Sequence, residues 1–71
     1  MIRIWGDFNE KDGKGRVILR HANEFKSGSA EFREGMRVTV WMEETEMEGV
    51  LEFESGLWRV RLDSATLWHR S

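Results

Sequence analysis

The stretch that decides the fold is RVTVWMEETEMEGVLEFESGLWRVRL, residues 37–62. Apolar residues recur at alternate positions through it: Val38, Val40 and Met42; then Met47, Leu51 and Phe53; then Trp58, Val60 and Leu62. A period of two marks a strand with one face buried and one in water, so three consecutive strands are predicted. A slip of one residue would turn every apolar side chain to the wrong face, which makes the pairing checkable by arithmetic. A two-residue turn at Ser55-Gly56 sets Phe53 beside Trp58, Leu51 beside Val60 and Gly49 beside Leu62, with Glu52 facing Arg59 on the other side. A loop over residues 43–46, centred on Glu44-Thr45, sets Met42 beside Met47, Val40 beside Gly49 and Val38 beside Leu51. Both hairpins bury the same face. Gly49, in mid-strand, predicts a bend or bulge where the sheet curls.

The N-terminal third follows the same logic. Ile2, Ile4 and Phe8 alternate with Arg3, Trp5 and Asp7, and Val17 and Leu19 form the next apolar pair. A hairpin centred on Asp12-Gly13 would set Phe8 beside Val17, Gly6 beside Leu19 and Trp5 opposite Arg20, with Gly15 offering a competing turn. Residues 21–35 break the alternation with Asn23, Ser27, Gly28 and Ser29, leaving room for one helical turn over 22–26. After Asp63, Ser64-Ala65-Thr66 predicts a single 3₁₀ turn before a last short strand over 67–70.

Two strands, a longer connection, a three-stranded meander and a short turn before a terminal strand resemble the SH3-like small barrels, including Tudor and KOW-type modules. The likeness is carried by Gly35-Met36-Arg37-Val38-Thr39-Val40, by Glu48-Gly49-Val50-Leu51, and by Trp58-Arg59-Val60-Arg61-Leu62-Asp63 with the turn after it, about half of the chain. It implies an all-β, five-to-six-stranded, partly open barrel over residues 1–71 with one short helical turn in the 21–35 connection. It also implies a binding surface, since such modules commonly bind peptides, methylated side chains or RNA. No signature motif of any one of these families is present, and the absence of Tyr leaves out groove aromatics of signalling SH3 domains. Likeness of fold implies a surface rather than a function.

Composition narrows the classes. Seventy-one residues suit one domain, and 39% hydrophobic residues with 7 Gly match an ordinary globular chain. A net charge of −2 gives no overall pull toward phosphate backbones or anionic membranes. No uncharged run approaches the ~20 residues of a membrane-spanning helix, and Met1 leads directly into a strand pattern instead of a signal sequence. A complete, soluble, cytoplasmic protein without membrane contact is expected. The absence of Cys excludes disulfides, thiolate metal sites and cysteine nucleophiles.

Catalytic constellations are lacking. His21 and His69 lie far apart in the chain, and Ser27, Ser29, Ser55, Ser64 and Ser71 have no nucleophile-elbow pattern around them. Asp7, Asn9 and Asp12 suggest calcium by composition, but an EF-hand count from Asp7 puts Lys11 fifth and Asp12 sixth, where an acid and a glycine belong. Asp12-Gly13-Lys14-Gly15 lacks the spacing of a phosphate-binding loop. The expectation is therefore no enzyme, no cofactor and no metal.

What stands out is four Trp in 71 residues. Trp58 belongs with Phe53 in the core, whereas Trp5 and Trp41 fall on the face opposite the apolar rows, where they are either covered structurally or available to a partner. Trp5, Arg20, Trp41 and Arg61, together with Trp68 on the terminal edge strand, are the candidate binding residues. Indoles beside arginines grip a peptide or a methylated amine, or stack on bases. Residues 42–71 carry seven acidic and three basic side chains, with Glu43, Glu44, Glu46 and Glu48 at one hairpin tip. Such a run is ordinarily a solvated tip, and it would steer a basic partner to that end. The expected function is a non-catalytic binding or assembly module that contacts a protein partner through the Trp/Arg face or an edge strand. Its alternative is an RNA or single-stranded nucleic-acid binder, and edge strands would also suit a homo-oligomer.

Overall fold

Six strands, β1 (Ile2–Trp5), β2 (Val17–Leu19), β3 (Arg37–Met42), β4 (Thr45–Glu54), β5 (Leu57–Leu62) and β6 (Trp68–His69), form one sheet in the computed structural model, which describes residues 2–20 and 32–69. The order is β1-β3-β4-β5-β2, with β6 added to β4, and the sheet curls into an open half-barrel. Its one helical element among the described residues is the 3₁₀ turn Ser64–Thr66. The helical turn expected over 22–26 lies outside the described residues, as does His21.

The β4–β5 hairpin has the register its alternation predicts: Phe53 faces Trp58, Glu52 faces Arg59, Leu51 faces Val60 and Gly49 faces Leu62. Ser55 and Gly56 both take positive φ, 52° and 78°, the signs of a type I′ turn whose twist suits a hairpin. The β3–β4 register differs from expectation. Met42 faces Thr45, Val40 faces Met47 and Val38 faces Gly49, so the loop is Glu43-Glu44 alone, with Glu43 at φ 55°. A shift of two residues leaves every side chain on its face, so the hydrophobic pattern accommodates both registers.

The N-terminal pairing is also corrected. Gly15, at φ 80°, takes the turn: Gly15 N–H donates to the Asp12 carbonyl, Asp12 N–H donates to the Arg16 carbonyl, and Lys11 bridges Val17. This is a three-residue loop closed by a left-handed glycine. β1 lies parallel to β3, with Trp5 opposite Trp41 and not Arg20, while β2 pairs with β5. The chain that leaves β1 returns at Glu10, whose carbonyl accepts from Ile18 N–H, so one continuous segment serves both margins of the half-barrel.

Ile4, Val17, Leu19, Val38, Val40, Leu51 and Val60 form the buried core. Trp58 packs against it, edge-on to Phe32 and tilted against Phe53 with ring centroids 5.0 Å apart. Phe53 itself is 48% exposed, because β4 runs past the end of the core there. β4 pairs with β3 from Thr45 to Val50 and with β5 from Gly49 onward, so Gly49 and Val50 are paired on both edges. A Cβ on Gly49 would stand 2.5 Å from Val60 Cγ1 and 2.6 Å from the Arg61 carbonyl oxygen, so this doubly paired position requires glycine.

Candidate functional site

Registers across four neighbouring strands put Trp5, Trp41, Glu46 and Trp68 in one row: Trp5 faces Trp41, Trp41 faces Glu46 and Glu46 faces Trp68. In-register residues share a face, so three of the five predicted site residues lie together on the face opposite Ile4 and Val40. Trp41 and Trp68 flank Glu46 at two strand spacings, roughly 10 Å. Trp68 reaches this row because the chain is pinned just before it. Asp63 N–H donates to the Glu48 carbonyl, Asp63 caps the 3₁₀ turn through Ala65 N–H, and Thr66 Oγ1 accepts from Glu48 N–H at 2.8 Å. Beyond the turn, His69 Nδ1 lies 2.8 Å from Thr45 Oγ1.

A hollow of about 190 Å³ opens here, lined by Arg3, Trp41, Glu43, Glu44, Glu46 and Trp68. A second hollow of about 220 Å³ shares Glu46 and Trp68 with it. Arg3, which the sequence analysis did not single out, comes from the neighbouring row of β1. Its Nε and Nη2 both donate to Glu46 Oε1, at 3.0 and 2.6 Å, and its guanidinium carbon stands 5.8 Å from the centroid of the Trp41 ring. Glu43 and Glu44, exposed on the tight turn, have no ion-pair partner among the described residues. Three carboxylates and one arginine give the hollow a charge of −2.

Arg20 and Arg61 lie elsewhere. Arg20 pairs with Glu10 beyond the end of β2. Arg61 faces Val50, which faces Arg37, four residues along β3 from Trp41, and it pairs with Glu52 at 2.8 Å. That region is an ionic network. Arg16, only 4% exposed, binds Asp12 at 2.9 Å and Glu52 and Glu54 each at 2.7 Å, while Arg59 reaches Asp12 at 2.9 Å. Asp12 Oδ1 also accepts from the backbone N–H of Lys14 and Arg16. Burial alone would raise the Asp12 pKa, but the Arg16 amide, Arg59, the Lys14 amide and the Arg16 side chain together hold it well below the carboxylate range. Glu54 and Glu52, the principal partners of Arg16, hold its guanidinium above its ordinary pKa. Arg61 and then Arg16 lower Glu52, and Arg16 lowers Glu54. The network ties the 12–16 loop to the back of β4 and β5. Every cation in it already faces a carboxylate, so it is a structural clamp.

Comparison with protein-family models, curated proteins and solved structures found no match to this chain.

The chemistry of the Trp row follows from its parts. Indole faces attract cations through their quadrupole, and neighbouring carboxylates add a Coulombic term of the same sign. Asp7 and Asp12, the carboxylates whose grouping suggests calcium, accept backbone N–H groups of their own turns, Asn9 for Asp7 and Lys14 with Arg16 for Asp12. No helix among the described residues is long and apolar enough to cross a membrane.

Proposed function

We propose that the protein is a non-catalytic binding module, cytoplasmic in setting, whose Trp41–Trp68 hollow takes a basic segment of a protein partner. The observation that carries this reading is the row in which Trp41 and Trp68 flank Glu46, beside Glu43 and Glu44, which have no ion-pair partner among the described residues. Two indoles offer apolar area and π faces at low conformational cost, and the acidic rim selects a cation and steers it in. The likeness to SH3-like small barrels supports the same kind of role, because such barrels present ligands with a surface of the sheet and its loops. The nucleic-acid alternative fits the site less well. Phosphates would meet Glu43 and Glu44 first, and Arg20 and Arg61 lie outside the hollow, each with a carboxylate of its own.

The test is a titration followed by tryptophan fluorescence, using an oligolysine peptide and a single-stranded oligonucleotide of similar length. The peptide is expected to bind, and Trp68→Ala should weaken it about tenfold while leaving the unfolding midpoint nearly unchanged, since Trp68 is 49% exposed on a two-residue strand. Binding of the oligonucleotide but not the peptide would give the alternative first place. Binding of neither would refute both.

A further inference from the structure

The hollow already contains a cation of the protein's own. Arg3 stacks on Trp41 and neutralises Glu46, the one rim carboxylate flanked by tryptophans on both sides. We infer that Arg3 is an internal competitor for the site, holding the position that a partner's cation must take, and that it sets a threshold only segments with two or more basic residues overcome. This rests on the binding role proposed above and specifies the partner.

The geometry makes Arg3 exchangeable. Its side chain is 59% exposed, and both of its donors converge on a single oxygen of Glu46 instead of forking across the two. A bidentate pair on both oxygens would be stronger and more specific. An exposed pair of this kind, together with one cation–π contact, holds its place by a factor of about five to ten over the released state. A single lysine arriving from solution would have to displace Arg3 in exchange for equivalent contacts, and its net gain is small. A segment with two cations differs: one replaces Arg3 on Trp41 and Glu46, while the other meets Glu43 and Glu44, which no cation among the described residues neutralises. The second contact is then intramolecular and adds without a second cost of association. Discrimination between one and two basic residues therefore arises from Arg3 together with the tight Glu43-Glu44 turn.

The experiment compares N-acetyl-lysine methylamide with the peptide acetyl-Lys-Gly-Lys-amide on wild-type protein, Arg3→Gln and Arg37→Gln, with affinities measured by NMR shift titration. Arg37 makes the control because it carries the same charge but pairs with Glu48 and Asp63 away from Trp41. Wild type should prefer the two-lysine peptide by more than tenfold. Arg3→Gln should tighten the single lysine about fivefold and shrink that preference, and Arg37→Gln should change either affinity by less than twofold. In wild type the Arg3 Nε–H resonance should move toward that of free arginine as the peptide is added, a readout that needs no variant. Peptide binding without movement of that resonance, or equal gains from Arg3→Gln and Arg37→Gln, would overturn the competitor while leaving the binding role intact. Failure of the peptide to bind any of the three proteins would overturn both.

Discussion

Replacing Gly49 by alanine tests the residue at which the β3–β4 and β4–β5 ladders overlap. At this residue β4 has both neighbours, facing Val38 of β3 on one edge and Leu62 of β5 on the other. The added methyl would stand 2.5 Å from Val60 Cγ1 and 2.6 Å from the Arg61 carbonyl oxygen, well inside the ~3.5–4.0 Å at which carbon contacts become attractive. Val60 is fully buried and the Arg61 oxygen belongs to backbone, so neither can recede without shifting the β4–β5 ladder. Overpacking of a close-packed site costs about 1–3 kcal/mol, and a clash against backbone belongs at the top of that range, about 3 kcal/mol. For a domain of this size each kcal/mol is worth roughly 4–8 °C, so the melting temperature should fall by about 12–24 °C. Urea and thermal unfolding, followed by tryptophan fluorescence and circular dichroism, measure it. Gly13→Ala is the control, since a Cβ there meets nothing within 4 Å, and it should stay within about 0.5 kcal/mol of wild type. A Gly49→Ala protein as stable as the control would refute the close approach at Gly49 and both registers that meet at it.

Leu51→Ala, at a fully buried position of the core, should cost about 2–5 kcal/mol, and a loss below 1 kcal/mol in urea unfolding would mean that the core lies elsewhere. The carboxylates of the clamp predict acid sensitivity. The pKa values of Asp12, Glu52 and Glu54 are lowered in the fold, so their stabilisation is complete above the ordinary carboxylate range and is lost as pH falls through that range toward their folded values. The urea midpoint should hold from pH 7 to about 5 and drop steeply below 4. Asp12→Asn should lower the midpoint at pH 7 and flatten that drop; an unchanged acid limb would remove Asp12 from the account.

Legibility of the sequence depended on whether a wrong pairing would have inverted a face. At Ser55-Gly56 the turn chemistry and both faces agree on one register, and that hairpin is as expected. Between β3 and β4 a two-residue shift preserves every face, so parity could not separate the four-residue loop from the tight Glu43-Glu44 turn. β1 was beyond reach for another reason: alternation marks a strand without naming its neighbour, and a parallel partner some 36 residues away leaves no local turn signal. The Trp row was partly legible. Trp5 and Trp41 stand out by residue type and face and Trp68 by its place on the terminal edge strand, but only the parallel β1–β3 register puts Trp5 beside Trp41 and brings Arg3 into the hollow. Arg16 went unnoticed because a charged residue next to a turn reads as exposed, whereas the fold covers it with three carboxylates. Its one sequence signal was its place between Gly15 and Val17, where the turn glycine and the first core residue leave it no choice of face.

Salt dependence alone does not separate a basic peptide from a nucleic acid, since the affinity of either ionic ligand falls as salt rises. The sign of the site does. Arg3, Arg16, Arg20, Arg37, Arg59 and Arg61 are each paired with a carboxylate, so a phosphate would have to displace a carboxylate to reach any of them. Glu43 and Glu44, without an ion-pair partner among the described residues, need no such exchange to meet a cation. Glu43→Gln/Glu44→Gln removes two negative charges from exposed positions on the turn that rims the hollow, without altering the core or the clamp. An oligolysine peptide should then bind about three- to tenfold more weakly, the scale of two exposed ion pairs, while an oligonucleotide should gain affinity or remain unbound. Opposite responses of the two ligands in the same protein identify the charge that the hollow selects. A peptide affinity unchanged in the double variant, with Trp68→Ala still damaging, would leave the indoles as the binding surface and remove the acidic rim from recognition.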